Sequence, residues 1–298
     1  MADSSLLSTV FFSGAGGCRL AVSVGGSADQ PPVILLHGAG QTRYAWKSTT
    51  EQLVRAGFHA FAPDIRGHGD SDWASDGDYC LNTLSADLQC LIKNLPRPPT
   101  LIGASLGGHI SLATVGLLSD SNFDSLVLVD IANTINPDGI KKITTFMNSN
   151  RHGFASLEEA ADSIANYLPH RPRPTSLSGL QRNLQWRDGR YYWHWDPKLF
   201  DTLDAFPDIS QARYDAAAAQ TRLPTLLVRG ADSELIREED IAHLRRLMPH
   251  AEYLDIANAH HMVAGDQNDI FGDAVISFLF RRMNSNGSTA ETNNKGTQ

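Results

Sequence analysis

Short apolar runs recur along this chain and alternate with segments of helical periodicity, and this alternation constrains the fold more than any other feature. The runs lie in PPVILLHG (31–38), FHAFAPDIRG (58–67), FDSLVLVDIA (123–132) and LPTLLVRGADSE (223–234). Continuous apolar runs of this kind are typical of strands buried on both faces of a sheet. Between them, residues 85–95 place their leucines and an isoleucine on one helical face. The alternation predicts an α/β fold with a mostly parallel, doubly wound sheet.

One long segment interrupts the alternation. Residues 133–215 contain no strand-like run, so we predict an inserted, mainly helical cap there. The two flanking segments, 1–132 and 216–283, are predicted to form the α/β core. The final residues, 284–298, are rich in Gly, Ser, Asn and Thr and are predicted to be a disordered tail.

The composition argues against several classes of protein. The formal net charge is −8 and no basic face is visible, which argues against a nucleic-acid partner. No run approaches the ~20 apolar residues of a membrane span, and the N-terminal residues do not resemble a signal peptide. We therefore expect a cytoplasmic protein without a membrane partner. Its expected partner is a small-molecule substrate, and a homodimer is left open.

A serine flanked by glycines lies between a predicted strand and a predicted helix. The stretch LIGASLGGH places Ser105 in a Gly-x-Ser-x-Gly pattern at that junction. This is the pattern of a nucleophile elbow, a tight turn that lifts a reactive hydroxyl out of the sheet. The backbone N–H of Leu106 then becomes a candidate oxyanion-hole donor. The N–H of Ala39, in the loop HGAGQT after an earlier strand, is the candidate second donor.

A serine nucleophile needs a base, and histidine suits that role. His261 and His260 follow the last predicted strand and are the best placed, and His261 is the preferred candidate. We expect His109 and His37 to have structural roles, and we do not prefer His194 as the base. The first follows the elbow on its helix, the second lies in an HG turn, and the third lies among aromatic residues of the insertion.

The acid that orients the histidine should follow an earlier strand. The stretch LLVRGADSELI offers Asp232 and Glu234. Asp130, at the end of the run LVLVD, is the reserve candidate. The residues alone do not separate these carboxylates.

The ordered set of motifs resembles the α/β-hydrolase superfamily. It consists of His37-Gly38, the turn DIRGHGDSD (64–72), the elbow, an acid after a strand, and His261. The resemblance implies the α/β-hydrolase fold, with the DIRGHGDSD turn as scaffold. It also implies a Ser–His–acid triad that requires no metal or organic cofactor.

The resemblance bears on the choice of acid and of histidine. Such hydrolases commonly place the acid three residues after the glycine that closes the strand, and this chain has Ser233 there. The neighbouring Glu234 follows a serine as in some relatives, so Glu234 is preferred over Asp232. The familiar Gly-His-Met ending of the histidine loop here reads His260-His261-Met262, which favours His261.

The resemblance also implies an activity. Relatives that form an alkyl–enzyme ester attack with Asp, whereas Ser105 implies acyl transfer and hydrolysis of a carboxylic ester or lactone of a small, fairly apolar substrate. Aromatic residues of the cap, with Trp193 and Trp195 among them, are candidates to line the substrate pocket. The alternative is that most of them form the small core of the cap. A cofactor-free perhydrolase, a C–C bond hydrolase and a ligand-sensing receptor remain alternative functions.

Overall fold

A computed structural model describes residues 6–132, 137–169, 173, 177–201, 211–261 and 268–293. The strands are β1 (Ser8–Ser13), β2 (Arg19–Gly25), β3 (Pro32–Leu36), β4 (His59–Pro63), β5 (Thr100–Ala104), β6 (Ser125–Val129), β7 (Leu184–Arg187), β8 (Arg190–Trp193), β9 (Thr225–Gly230) and β10 (Glu252–Ile256). The helices are α1 (Lys47–Arg55), α2 (Leu81–Lys93), α3 (Leu106–Leu117), α4 (Pro137–Asn148), α5 (Leu157–Tyr167), α6 (Ser178–Gln181), α7 (Lys198–Asp201), α8 (Gln211–Gln220), α9 (Glu238–Leu247) and α10 (Asn268–Asn293).

Eight strands form one twisted sheet in the order β1-β2-β4-β3-β5-β6-β9-β10. The strands β1 and β2 pair antiparallel with each other, β2 pairs antiparallel with β4, and the remaining neighbours are parallel. The predicted mostly parallel, doubly wound sheet is therefore confirmed. Because parallel strands end at the same edge, the loops after β3, β5, β6, β9 and β10 meet there.

Alternate residues of the central strands pack on opposite faces of the sheet, as the period of a strand requires. In β3, Ile34 and Leu36 pack on the side covered by α2, α3, α8 and α9, whereas Val33 and Leu35 pack on the side covered by α1 and α10. Both sets are nearly inaccessible to solvent. The strand therefore has no exposed face, which explains its uninterrupted apolar sequence.

The insertion differs from the predicted helical cap because it contains a β-hairpin. The strands β7 and β8 pair antiparallel within it. Their turn is Asp188-Gly189, with φ of 51° and 76°, and an Asp-Gly pair with two positive φ angles is the signature of a two-residue hairpin turn. The prediction that the insertion contains no strand was therefore wrong.

The helix α8 crosses the predicted boundary at residue 216. Its buried residues Tyr214 and Ala217 belong to the same apolar cluster as the core helix α3. A Cβ on Gly116 of α3 would lie only 2.6 Å from Cβ of Ala217. The α/β core is thus covered by this helix from its beginning at Gln211.

The helix α10 continues into the predicted tail. It extends from Asn268 to Asn293, so the backbone over 284–293 is helical where we predicted disorder, and 294–298 lie outside the described residues. Its buried residues Phe271, Val275 and Phe278 anchor it on the sheet. Once begun, a helix gains one hydrogen bond for each added residue, so a polar sequence can prolong it. Among the described residues, no helix is long and apolar enough to cross a membrane.

Candidate active site

Ser105 lies in the sharp turn between β5 and α3. Its backbone has φ of 48° and ψ of −117°, a strained conformation for a residue with a side chain. A Cβ on Gly107 would lie 2.2 Å from the carbonyl O of Leu36, and one on Gly103 would lie 2.4 Å from the carbonyl O of Gly107. Both flanking positions therefore require glycine. These are the requirements of a nucleophile elbow.

The first predicted oxyanion donor is the N–H of Leu106, the first residue of α3. The next N–H, of Gly107, donates to the carbonyl O of His37 at 3.1 Å. No described group accepts a hydrogen bond from the N–H of Leu106. It is one of the unpaired N–H groups that every helix leaves at its beginning, and the helix dipole favours negative charge beside it.

The second predicted donor is the N–H of Ala39, in the loop after β3. This loop runs against the serine, since a Cβ on Gly38 would lie 3.4 Å from Cβ of Ser105. The N–H of Gly38 donates to Oε1 of Gln41 at 2.9 Å, and the Gln41 N–H donates to the Gly38 carbonyl at 3.1 Å. The Ala39 N–H donates to no described group. The structure therefore leaves both predicted donors available beside the elbow.

His261 pairs with Asp130, the first residue after β6. Its Nδ1 lies 2.6 Å from Oδ2 of Asp130, whose side chain is almost fully buried. The N–H of Gly230 donates to Oδ1 at 3.0 Å, and the hydroxyl of Ser233 donates to Oδ2 at 2.5 Å. The carboxylate is thus held on both oxygens. A histidine that donates Nδ1–H to a carboxylate presents Nε2 as the basic nitrogen.

The serine and this acid lie on adjacent strand ends. The N–H of Ser105 donates to the carbonyl O of Val129 at 3.1 Å, and Asp130 follows directly. The strands β5 and β6 pair in register up to Ala104 and Val129. The elbow and the Asp130–His261 pair are therefore brought to one place at the edge of the sheet.

In this arrangement neither predicted acid, Glu234 nor the second choice Asp232, is the partner of His261. Oε2 of Glu234 lies 3.8 Å from Nδ1 of His260, and the same nitrogen lies 3.1 Å from the backbone carbonyl of Asp232. Both candidates lie beside His260, and the partner of His261 is the reserve candidate, Asp130. The strands β6 and β9 are parallel neighbours, so either can supply a carboxylate to this edge.

The sequence contained a signal for this correction. Ser233 occupies the position where the resemblance places an acid, and its hydroxyl hydrogen-bonds the carboxylate that arrives from β6. A serine in that position, together with an aspartate ending the run LVLVD, indicates an acid on the neighbouring strand.

Four other histidines are buried and electrically neutral. Burial is the largest cause that lowers the pKa of His37, His68 and His194 to about 3, and it lowers the pKa of His109 to about 4. A neutral imidazole has one donor nitrogen and one acceptor nitrogen, so each of these rings can donate one hydrogen bond and accept one. Burial therefore keeps these four rings in the neutral form.

Trp193 and Trp195 do not have the surroundings predicted for pocket-lining residues. Their rings stack on each other with centroids 4.7 Å apart, and both side chains are buried. Phe154 packs edge-on against the first ring and Phe200 against the second. The two tryptophans belong to the apolar cluster of the insertion, which also includes Ala74 and Tyr79. This agrees with the alternative that the sequence left open.

The residues WHWDP (193–197) connect the insertion to the DIRGHGDSD turn. The N–H of Asp196 donates to the carbonyl O of Gly67 at 2.8 Å, and the hydroxyl of Tyr79 donates to Oδ2 of Asp196 at 2.6 Å. Nδ1 of His194 accepts from the N–H of Gly69 at 2.8 Å. The partners Gly67 and Gly69 lie in the DIRGHGDSD turn, which the sequence identified only as scaffold.

The sheet topology and the elbow place this chain in the class of α/β hydrolases with a serine at the nucleophile position. The family described as alpha/beta hydrolase fold matches residues 31–266, and the chain belongs to that family. Among the described residues, no cluster of histidine, cysteine and acidic side chains could hold a metal ion.

Known proteins similar to this chain include hydrolases of esters. The chain is 30% identical over 263 residues to the esterase Rv0045c of Mycobacterium tuberculosis, covering 84% of this chain and 83% of that protein. It is 28% identical over 271 residues to the sn-1-specific diacylglycerol lipase ABHD11 of Mus musculus, covering 85% and 82%. The solved structure of E-2-(acetamidomethylene)succinate hydrolase resembles it in fold, with a TM-score of 0.82 at 22% identity, over 92% of this chain and 99% of that one.

Proposed function

We propose that this chain hydrolyses carboxylic esters, and that its substrate is an ester or lactone of a small, fairly apolar molecule. Hydrolysis of esters in general is supported by the esterase and the lipase among its relatives. The observation that carries the proposal is the hydrogen-bonded pair of Asp130 and His261. Asp130 follows strand β6, whose neighbour in the sheet, β5, leads into Ser105.

In the proposed reaction, Nε2 of His261 takes the proton from the Ser105 hydroxyl as its oxygen attacks the substrate carbonyl. Asp130 holds the ring through Nδ1–H and stabilises the imidazolium that forms. The protonated ring then gives its proton to the departing alcohol, which leaves an acyl group on Ser105. Water, activated by the same nitrogen, attacks this acyl-enzyme and releases the carboxylic acid.

As the serine attacks, negative charge develops on the carbonyl oxygen of the substrate. We assign the stabilisation of this charge to the N–H groups of Ala39 and Leu106. Both belong to the backbone, so their dipoles are oriented before the charge develops and need no reorganisation during the reaction. Loss of one such donor costs about 3–4 kcal/mol of transition-state stabilisation in comparable sites.

The insertion carries an open groove lined mostly by polar residues, including Lys141 and Lys142, that contains none of Ser105, Asp130 and His261. It has a volume of about 590 Å³, and its lining includes Phe146 and Tyr167, whose rings stack with centroids 4.1 Å apart. Burial, and after it the negative charge of Glu234, raise the pKa of Tyr167 to about 12.

The proposal is tested by substituting the nucleophile. We expect Ser105→Ala to abolish hydrolysis of p-nitrophenyl esters and lactones and to abolish labelling by a fluorophosphonate, which mass spectrometry should locate on Ser105 in the unmodified protein. Ser121→Ala, which removes an exposed hydroxyl from a turn, should retain activity and labelling. Full ester hydrolysis by Ser105→Ala would show that the mechanism is wrong.

A further inference from the structure

We propose that His68 and His194 are positioning residues that fix the oxyanion loop, residues 38–41, so that the cap helps to set the rate of the reaction as well as its specificity. The inference rests on the function proposed above, because it concerns the N–H of Ala39. It adds two histidines, one from the core and one from the insertion.

The two rings hold both backbone groups of Gly40. The N–H of Gly40 donates to Nε2 of His68 at 3.1 Å. Its carbonyl O lies 3.4 Å from Nε2 of His194, a longer and weaker contact. Both rings are buried, with exposures of 0% and 2%, whereas Gly40 itself is partly buried. Gly40 is thus held by an imidazole on each side of its backbone.

The second nitrogen of each ring fixes the tautomer that makes these contacts possible. Nδ1 of His68 lies 3.2 Å from the carbonyl O of Arg66, so it carries the hydrogen and leaves Nε2 as an acceptor. Nδ1 of His194 accepts from Gly69, so the hydrogen lies on Nε2, which faces the carbonyl O of Gly40. The two rings therefore offer Gly40 one acceptor and one donor.

Gly40 is also enclosed by side chains of the insertion. Its φ is 71°, and a Cβ there would lie 2.2 Å from Cε of Met147 and 3.4 Å from Cζ3 of Trp195. The loop cannot move outward without displacing the cap.

These contacts bear directly on Ala39, which lies between two fixed residues. On one side Gly38 is bonded to Gln41, and on the other Gly40 is bonded to the two histidines. The Ala39 N–H lies in the peptide plane that it shares with the Gly38 carbonyl. The next peptide, which carries the Gly40 N–H, limits how far that plane can rotate. Misplacement of a catalytic group by about 1 Å can cost on the order of 100-fold in rate. The cap therefore contributes to the oxyanion hole through His194 without contact with the substrate.

The test replaces each histidine by Gln and by Asn. The side-chain amide of each variant occupies the position of only one of the two ring nitrogens. In His68→Gln the amide oxygen can occupy the position of Nε2 and still accept from Gly40, whereas the shorter His68→Asn reaches only the position of Nδ1. In the same way His194→Gln keeps a donor towards Gly40, whereas His194→Asn keeps only the acceptor for Gly69. Each pair thus compares two polar amides that differ in their contact with Gly40.

We expect His68→Asn to lower kcat on p-nitrophenyl esters about tenfold or more with KM within about twofold, as for partial loss of one oxyanion donor. His68→Gln should stay within about threefold of the unmodified protein. The inhibition constant of phenylboronic acid, which forms a tetrahedral adduct on a catalytic serine, should rise in proportion to the loss of kcat. The His194 pair should show the same order with a smaller difference, because its contact is longer.

A purely structural role predicts another pattern. Equal losses in the Asn and Gln variants, a changed KM with unchanged kcat, or an unchanged boronic-acid constant would overturn the inference. Melting temperatures of each Asn and Gln pair serve as the control for folding, and the His194 pair decides if His68→Asn does not fold. If Ser105→Ala abolishes activity while both Asn variants behave as the unmodified protein, the inference alone fails and the proposed function stands.

Discussion

At the scale of single residues, the buried carboxylate of Asp130 organises the catalytic edge. It accepts from the Gly230 N–H, the Ser233 hydroxyl and the ring of His261. A buried carboxylate is tolerated only when such donors replace the water it loses. The Gly230 N–H therefore holds Oδ1, while the Ser233 hydroxyl and His261 share Oδ2. A serine at the third position after Gly230 donates to this carboxylate, whereas an acid there would repel it.

The first prediction separates Asp130 from the acid that the sequence favoured. We expect Asp130→Asn to lower kcat for esters by a factor of ~10⁴, because an amide nitrogen facing Nδ1 favours the wrong tautomer of the histidine. The matched substitution Glu234→Gln should leave kcat within about twofold. Steady-state kinetics on one p-nitrophenyl ester decides between them, and a large loss in Glu234→Gln alone would restore the original assignment.

At the scale of elements, the sequence predicts what is local and misses what depends on neighbouring strands. The buried strands and the elbow follow from apolar runs and from glycines at fixed spacing, and the structure has them close to the predicted positions. The sequence favoured Glu234 over Asp130 because two parallel strands deliver side chains to one edge, and the order of those strands in the sheet is not visible in one sequence. The β7–β8 hairpin was missed although Asp188-Gly189 signals it, because aromatic residues obscured the strand alternation.

The elbow gives a prediction at this scale. A Cβ at Gly107 would meet the backbone oxygen of Leu36 at 2.2 Å, and neither strand β3 nor helix α3 can retreat within a packed interior. We expect Gly107→Ala to lower the free energy of unfolding by about 1–3 kcal/mol and to lower esterase activity more than stability alone explains. Urea unfolding and activity measured on the same preparation test this.

The matched control is Gly179→Ala in α6, where an added Cβ meets no described atom within 4 Å. That substitution should be neutral or slightly stabilising, since alanine loses less backbone entropy than glycine. Equal behaviour of the two variants would contradict the steric argument for the elbow.

At the scale of the whole molecule, the buried neutral histidines couple stability to pH. The folded protein holds the pKa of His37, His68 and His194 at about 3 and that of His109 at about 4. In the unfolded chain, histidine titrates near ~6.5. Between these values the unfolded chain binds protons that the folded protein does not, so acidification favours unfolding.

We therefore expect the free energy of unfolding to be nearly constant from pH 8 to 7 and to fall as the pH drops below about 6.5. Each such histidine contributes a slope of up to ~1.4 kcal/mol per pH unit once its unfolded form is protonated. Urea denaturation at pH 5, 6, 7 and 8 measures the slope. His109→Gln should reduce this slope by the contribution of one histidine, up to ~1.4 kcal/mol per pH unit. A free energy of unfolding that does not depend on pH below 6.5 would contradict these assignments.

The hydrogen bond between the Ser105 N–H and the Val129 carbonyl has a consequence for how such a chain diversifies. The proposed nucleophile and the proposed acid both precede the insertion in the chain and lie at the ends of adjacent strands. A longer or shorter insertion therefore leaves their spacing unchanged. Recombination of that segment can alter which molecules are accepted while the two residues stay in register. A chimaera built in this way must still supply an imidazole at the position of His194, or it inherits a new specificity at a reduced turnover.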